Sequence, residues 1–145
     1  TISPILHENN NLKKVSAILV LMMACTMIAH SQTSLSFCTF VNASNQECVF
    51  DNTKFITSPD STHAKLYMML RGNQVFATSK LTYKVYAIDR FNKEVFLFDV
   101  SQEVEAIWMN AWQPAIFNTP GKYVVKVYKD ATHEITSKGF EFYNN

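Results

Sequence analysis

Eleven residues, Asn118-Thr-Pro-Gly-Lys-Tyr-Val-Val-Lys-Val-Tyr128, limit what this chain can fold into more than any other stretch. Pro120-Gly121 is turn chemistry, because proline presets φ and glycine accepts positive φ. Beyond the turn, Tyr123, Val125 and Val127 alternate with Val124, Lys126 and Tyr128. Period-two alternation in β-branched and aromatic residues specifies a strand with one buried face. The other elements can be placed around this strand.

The length of 145 residues suits one domain with a core and is short for two. Phe 11, Tyr 6 and Trp 2 are many aromatics for that length and favour strands, whereas Gly 3 and Pro 4 exclude a linker-rich chain. The formal charge is +1, and setting aside residues 1–31 removes Lys13, Lys14 and Glu8, leaving 11 basic against 11 acidic groups. Without a basic cluster, nucleic acid and anionic membrane surfaces are poor partners.

Residues 1–31 read as an address. Lys13-Lys14 precedes an apolar run, Val15 to Ala29, interrupted only by Ser16 and Thr26, and Ala29-His30-Ser31 supplies small residues before Gln32. That order predicts a secretory signal peptide cleaved after Ser31. A retained anchor is the alternative, although a spanning helix needs about 20 apolar residues. A lipid on Cys25, which follows Ala24, is a second alternative. Leu12 stands where a signal would start, so Thr1 to Asn11 are expected to be upstream sequence. N-terminal sequencing of the precursor tests this, and finding the Thr1 to Asn11 peptide rejects it.

Removing the signal leaves Cys38 and Cys48, an even pair that predicts a structural disulfide. Folding Phe37 to Val49 into a hairpin about Asn42-Ala43-Ser44 sets the two cysteines opposite each other. Two cysteines without a neighbouring histidine make a poor zinc site, so no metal and no cofactor is expected.

In order, Leu35 to Val41 and Glu47 to Ile56 form the expected hairpin, making residues 32–56 an N-terminal hairpin unit within a single domain of 32–145. A loop follows over Thr57 to Ser61. Ala64 to Leu70, Leu81 to Ile88 and Val95 to Val100 are strands, with Asp89 to Lys93 a hairpin turn between the last two. Leu81, Tyr83, Val85 and Ala87 face inward. Val104, Ile107 and Trp108 are at helical spacing, so a helical turn competes with a loop over Ser101 to Asn110. Pro114 makes Ala111 to Phe117 an edge strand. Ile135 to Tyr143 closes the chain, with Phe140 and Phe142 inward. About seven to eight short strands result, an all-β antiparallel sandwich.

Ala64 to Tyr143, and above all Thr119-Pro-Gly-Lys-Tyr-Val-Val-Lys-Val-Tyr128, resembles immunoglobulin-like or fibronectin type III-like modules of secreted bacterial proteins. The resemblance implies that Tyr123 is a corner tyrosine bonded to nearby backbone, with Pro120 and Gly121 shaping the corner. Val125 stands where antibody-type domains carry their second cysteine, and the Leu81–Ile88 strand has no Trp. The resemblance therefore implies a fold and no activity.

No catalytic or phosphate-binding motif is present. Asp60 to His63 and Asp130 to His133 repeat Asp-x-Thr-His, but the proposed strand order sends the two tetrads to opposite ends of a sandwich, where they read as polar loops. Glu103 and Glu105 read as a solvated pair rather than as hydrolytic carboxylates.

Aromatic residues carry more information. Tyr86, Ile88, Val124 and Tyr128 are expected on the outer face of two neighbouring strands, in one apolar patch fringed by Lys84 and Lys126, with Trp108 and Trp112 adding a stacking surface. A loop or the N-terminal hairpin could equally bury that patch. The sequence thus predicts an exported, non-enzymatic β-sandwich that contacts another protein at the cell surface, in the periplasm or in the medium. One competitor is a carbohydrate-binding module that holds a polysaccharide on its Trp and Tyr side chains. The other is a protease inhibitor inserting the loop Arg71 to Ser79.

Overall fold

The computed structural model describes residues 32–57 and 63–144. The signal peptide, the lipid site at Cys25, the start at Leu12, Asp60 and most of the Thr57 to Ser61 loop lie outside the described residues. The described residues form ten strands: β1 (Thr33–Cys38), β2 (Phe40–Asn42), β3 (Glu47–Val49), β4 (Lys54–Thr57), β5 (Ala64–Gly72), β6 (Lys80–Ile88), β7 (Glu94–Glu103), β8 (Asn110–Phe117), β9 (Gly121–Lys129) and β10 (His133–Asn144). Eight of them build two sheets, ordered β1-β5-β8 and β4-β10-β9-β6-β7, and β2 and β3 form a separate ribbon.

The expected first hairpin is not one unit. Its residues are divided among three sheets: β1 pairs antiparallel with β5, β2 with β3, and β4 runs parallel to β10. The chain turns where regular strand ends. Phe50 takes φ of 55°, and Asn52 Oδ1 accepts from the backbone N–H groups of Thr53 and Lys54 at 2.8 and 3.3 Å. This local side-chain cap replaces strand pairing and turns β4 toward the second sheet. The disulfide Cys38–Cys48 forms with Cα atoms 5.4 Å apart, but Cys48 lies opposite Val41 in the ribbon. The bond ties β3 to the end of β1, instead of joining facing positions of a hairpin.

The sandwich interior is aromatic. The Phe140 ring lies 4.7 Å from Phe37, 4.8 Å from Phe117 and 5.3 Å from Tyr123, and 6.2 Å from Phe55. Phe37 and Phe117 belong to the three-stranded sheet and the others to the five-stranded one, so this cluster joins the layers. Offset and edge-on pairs at such separations each add about 0.5–1.5 kcal/mol beyond area burial. Between β8 and β9 the chain crosses from one sheet to the other. There Tyr123 donates its hydroxyl to the Thr119 carbonyl, and Gly121 has φ of 155°, which an L side chain rarely adopts.

Two bulges set which side chains reach that interior. On β7, Val85 faces Phe98 and Tyr86 faces Phe96, leaving Leu97 as the extra residue. The bulge turns Phe98 inward against Phe117 at 6.0 Å and leaves Asp99 in solvent. On β10 the extra residue is Ile135. The Ser101 to Asn110 stretch holds no helix: β7 runs on to Glu103, Val104 is buried, and a turn follows. Pro114 sits exposed on β8, an edge strand, where its missing N–H costs nothing.

Phe140→Ala is expected to lower stability by about 3–5 kcal/mol, measured by urea denaturation, because it removes the ring that both sheets share. Burial holds the Tyr83 hydroxyl well above the ordinary tyrosine range and also raises that of Tyr123. A folded pKa raised over the unfolded one contributes stability that is complete below about pH 10 and is lost as pH rises from there through the folded value. The urea midpoint should therefore fall above about pH 10, less steeply in Tyr83→Phe. An undiminished midpoint at about pH 11 would contradict this.

Candidate functional site

Cross-strand register builds the outer face of the five-stranded sheet. Tyr86 is opposite Val124, Lys84 opposite Lys126, Thr82 opposite Tyr128 and Ile88 opposite Lys122. On the flanking β7, Phe96 faces Tyr86 and Asp99 faces Lys84. The four residues Tyr86, Ile88, Val124 and Tyr128 thus share one face and are half-buried. The N-terminal hairpin does not bury this face, since the ribbon packs on the other sheet.

The lysines are not a fringe. Paired directly across β6 and β9, they lie between the two tyrosine rows, and like charges so placed repel. Each ammonium instead reaches diagonally over a ring: Lys84 Nζ lies 4.7 Å from the Tyr128 centroid, and Lys126 Nζ 5.0 Å from that of Tyr86. Lys126 also meets Glu94 Oε2 at 2.7 Å, and that hydrogen bond raises the ammonium pKa. The Tyr128 hydroxyl is raised as well, first by burial and then by the nearby Glu134 carboxylate. The face therefore mixes aromatic rings with cations instead of forming a continuous apolar patch.

The apolar surface lies farther out, along β7. Tyr86 packs edge-on with Phe96 at 5.7 Å, and Val95, Phe96 and Leu97 are 47%, 53% and 46% exposed. Phe91, in the β6–β7 turn, is exposed too. Asp89 Oδ1 holds that turn by accepting from the N–H groups of Phe91 and Lys93 at 2.8 and 2.9 Å. Among the described residues β7 is the last strand of its sheet, so no described strand lies beside one edge of its backbone. Sequence reading missed these residues. Their signal was the unbroken run Val95 to Phe98, which violates period two.

Trp108 and Trp112 belong elsewhere. Trp112 is opposite Met69 on the outer face of the three-stranded sheet, where the ribbon buries Cys38, Val41 and Met69 and Trp112 packs alongside. Both indoles line a cleft of about 400 Å³ with Gln46, Gln102, Met109, Asn110 and Ala111. The structure separates this pair from the Tyr86/Tyr128 face rather than merging the two.

The remaining candidates are structural or dispersed. Segment 71–79 is not a projecting inhibitor loop. Gly72, Phe76 and Ala77 donate backbone N–H groups to the carbonyls of Met109, Trp108 and Ala106 at 2.8, 2.8 and 3.0 Å, and Phe76 and Thr78 are buried. Asp130 Oδ1 accepts from the Thr78 hydroxyl at 2.7 Å, which accounts for that aspartate. His63 precedes β5 at the Phe117 end of the sandwich, and His133 opens β10 at the opposite end. Among the described residues no group of three His, Cys, Asp or Glu side chains is placed to hold a metal ion.

Strand order, corner tyrosine and layer widths permit comparison with solved folds. No protein-family model and no curated protein matches the chain. An immunoglobulin-like protein from Pseudomonas aeruginosa superposes with a TM-score of 0.51 at 13% identity, covering 79% of this chain and 98% of that one. The fold is immunoglobulin-like. A Pseudomonas fluorescens alkylpurine DNA glycosylase bound to DNA containing an abasic site analog matches only at a TM-score of 0.32 and 18% identity, covering 60% of this chain and 27% of that one, too little to support an argument. For an immunoglobulin-like module, the Cys38–Cys48 bond points to an oxidising, extracytoplasmic compartment.

Proposed function

We propose that this immunoglobulin-like module is exported, non-enzymatic, and contacts another protein along the free edge of β7 and the adjoining Tyr86/Tyr128 face. One observation carries the reading. A ten-residue edge strand presents Val95, Phe96 and Leu97 to solvent beside an aromatic face. Folded proteins usually keep such edges short, charged or covered, because an open edge templates further pairing. A long apolar edge is suited to accepting an extended segment of a partner as a sixth strand, with main-chain hydrogen bonds for affinity and side chains for selectivity. The disulfide and the signal-like order of Lys13 to Ser31 support placement at the cell surface, in the periplasm or in the medium.

The paired substitution Phe96→Lys and Leu97→Lys should abolish partner capture from the native envelope or medium. It should lower unfolding free energy by no more than about 1–2 kcal/mol, the loss of the Tyr86–Phe96 edge contact, and leave the protein folded. Ile116→Lys, at an exposed site on the other sheet, should leave capture intact. Equal capture by all three proteins would sink the proposal. Sedimentation distinguishes the partner's nature: a concentration-dependent dimer lost in the paired variant would assign the edge to a second copy instead.

A further inference from the structure

The cleft at Trp108 and Trp112 lies away from the β7 track. Its construction begins with backbone. Gly72 sits so close to the β7–β8 loop that a Cβ there would meet Gln74 O at 2.9 Å and Met109 O at 3.3 Å. That approach lets Gly72, Phe76 and Ala77 bond to the loop, while the Trp108 N–H donates to Glu105 O at 3.0 Å. The loop is held at both ends, yet Ile107, Trp108 and Met109 remain 74%, 40% and 41% exposed. Burying such a side chain is worth about 1.5–3 kcal/mol, which this loop forgoes. Anchored backbone with solvent-facing aromatic groups is a preorganised contact surface.

The opposite wall comes from the β2–β3 turn. Gln46 has φ of 55°, a left-handed conformation in which glycine or asparagine is less strained. It is held there because Arg71 Nη2 donates to its carbonyl at 2.6 Å and Asn110 Nδ2 donates to its Oε1 at 3.0 Å. Below it, Gln102 is fixed on both sides, accepting from the buried Tyr83 hydroxyl at 2.8 Å and donating to Trp112 O at 3.0 Å. The Gln46–Asn110 pair leaves Gln46 Nε2 as a donor and Asn110 Oδ1 as an acceptor, with no other partner among the described residues.

The lining therefore offers two indoles, one thioether and a paired donor and acceptor, and none of its side chains is charged. Among the lining side chains an anionic or cationic ligand finds no counter-charge, the nearby Arg71 being bonded to the Gln46 carbonyl, and a wholly apolar ligand would leave the amides unpaired. Sugar rings fit both constraints. Their C–H faces stack on indoles, and vicinal hydroxyls both accept from and donate to adjacent amide groups. We propose that this cleft binds a neutral carbohydrate, with Trp108 and Trp112 as stacking platforms and Gln46 and Asn110 as hydroxyl readers. This site is independent of the β7 contact.

Affinity electrophoresis of the disulfide-bonded protein through gels containing hydroxyethylcellulose, xylan, laminarin or glycogen, with calorimetric titration of chitohexaose, tests the proposal. Retardation or heat with at least one neutral glycan is expected. Trp108→Ala and Asn110→Ala should each weaken that binding about tenfold or more. Tyr86→Ser, on the other sheet, should not change it, and circular dichroism should show all three variants folded. No response across the panel overturns the proposal. So does binding that survives Trp108→Ala, or binding confined to an anionic control such as alginate. Loss of a captured protein in Trp108→Ala without any glycan response would reassign the cleft to protein contact.

Discussion

The Phe140 ring is where the two layers meet, and removing it would leave neither sheet with a reason to stay registered on the other. It touches Phe37 and Phe117 from one sheet and Tyr123 and Phe55 from its own. Tyr123 lies directly opposite it on the neighbouring β9, so the corner hydrogen bond to Thr119 and the aromatic cluster constrain the same stretch of chain. The crossing between sheets is thus fixed by a polar contact at its rim and by packing at its centre. Neither could set the geometry alone, because dispersion has no direction and one net hydrogen bond is worth only about 1 kcal/mol.

Unequal layer widths explain the exposed edge. A three-stranded sheet packs over a five-stranded one, so its cover ends before β7 does. Phe98 still reaches Phe117, but Val95 faces the same side and finds no strand above it. The Leu97 bulge is the compromise: it sends Phe98 into the interior and leaves three apolar neighbours in water. The surface proposed for protein contact is therefore a geometric consequence of how the core was closed.

The cleft has a different origin. The β2–β3 ribbon covers the outer face of the smaller sheet through Cys38, Val41 and Met69, and the disulfide holds it down. Its tip then overhangs the start of β8, where the β7–β8 loop has been drawn in by Gly72. Trp112 serves both structures, with one part packed under the ribbon and the rest facing the cleft. An insertion that covers an apolar sheet face also creates a concave wall.

Local chemistry declared itself in the sequence. Strand periodicity from Ala64 onward, the Asp89 to Lys93 turn and the edge role of the Pro114 strand follow from backbone preferences, and the pairing of Cys38 with Cys48 was expected once Cys25 was assigned to the signal segment. The Tyr123 corner was suggested by resemblance, and the structure places its hydroxyl on Thr119. Long-range geometry was not legible. The sequence did not show that β1 and β4 would join different sheets, that two bulges would invert side-chain facing, or that Lys84 would stand opposite Lys126. Nor did it bring Gln46 to Asn110, 64 positions apart. The dividing line is physical. Alternation, turns and caps are decided within a few residues, whereas register, layer width and the meeting of distant loops are decided only when the two sheets close on a shared core.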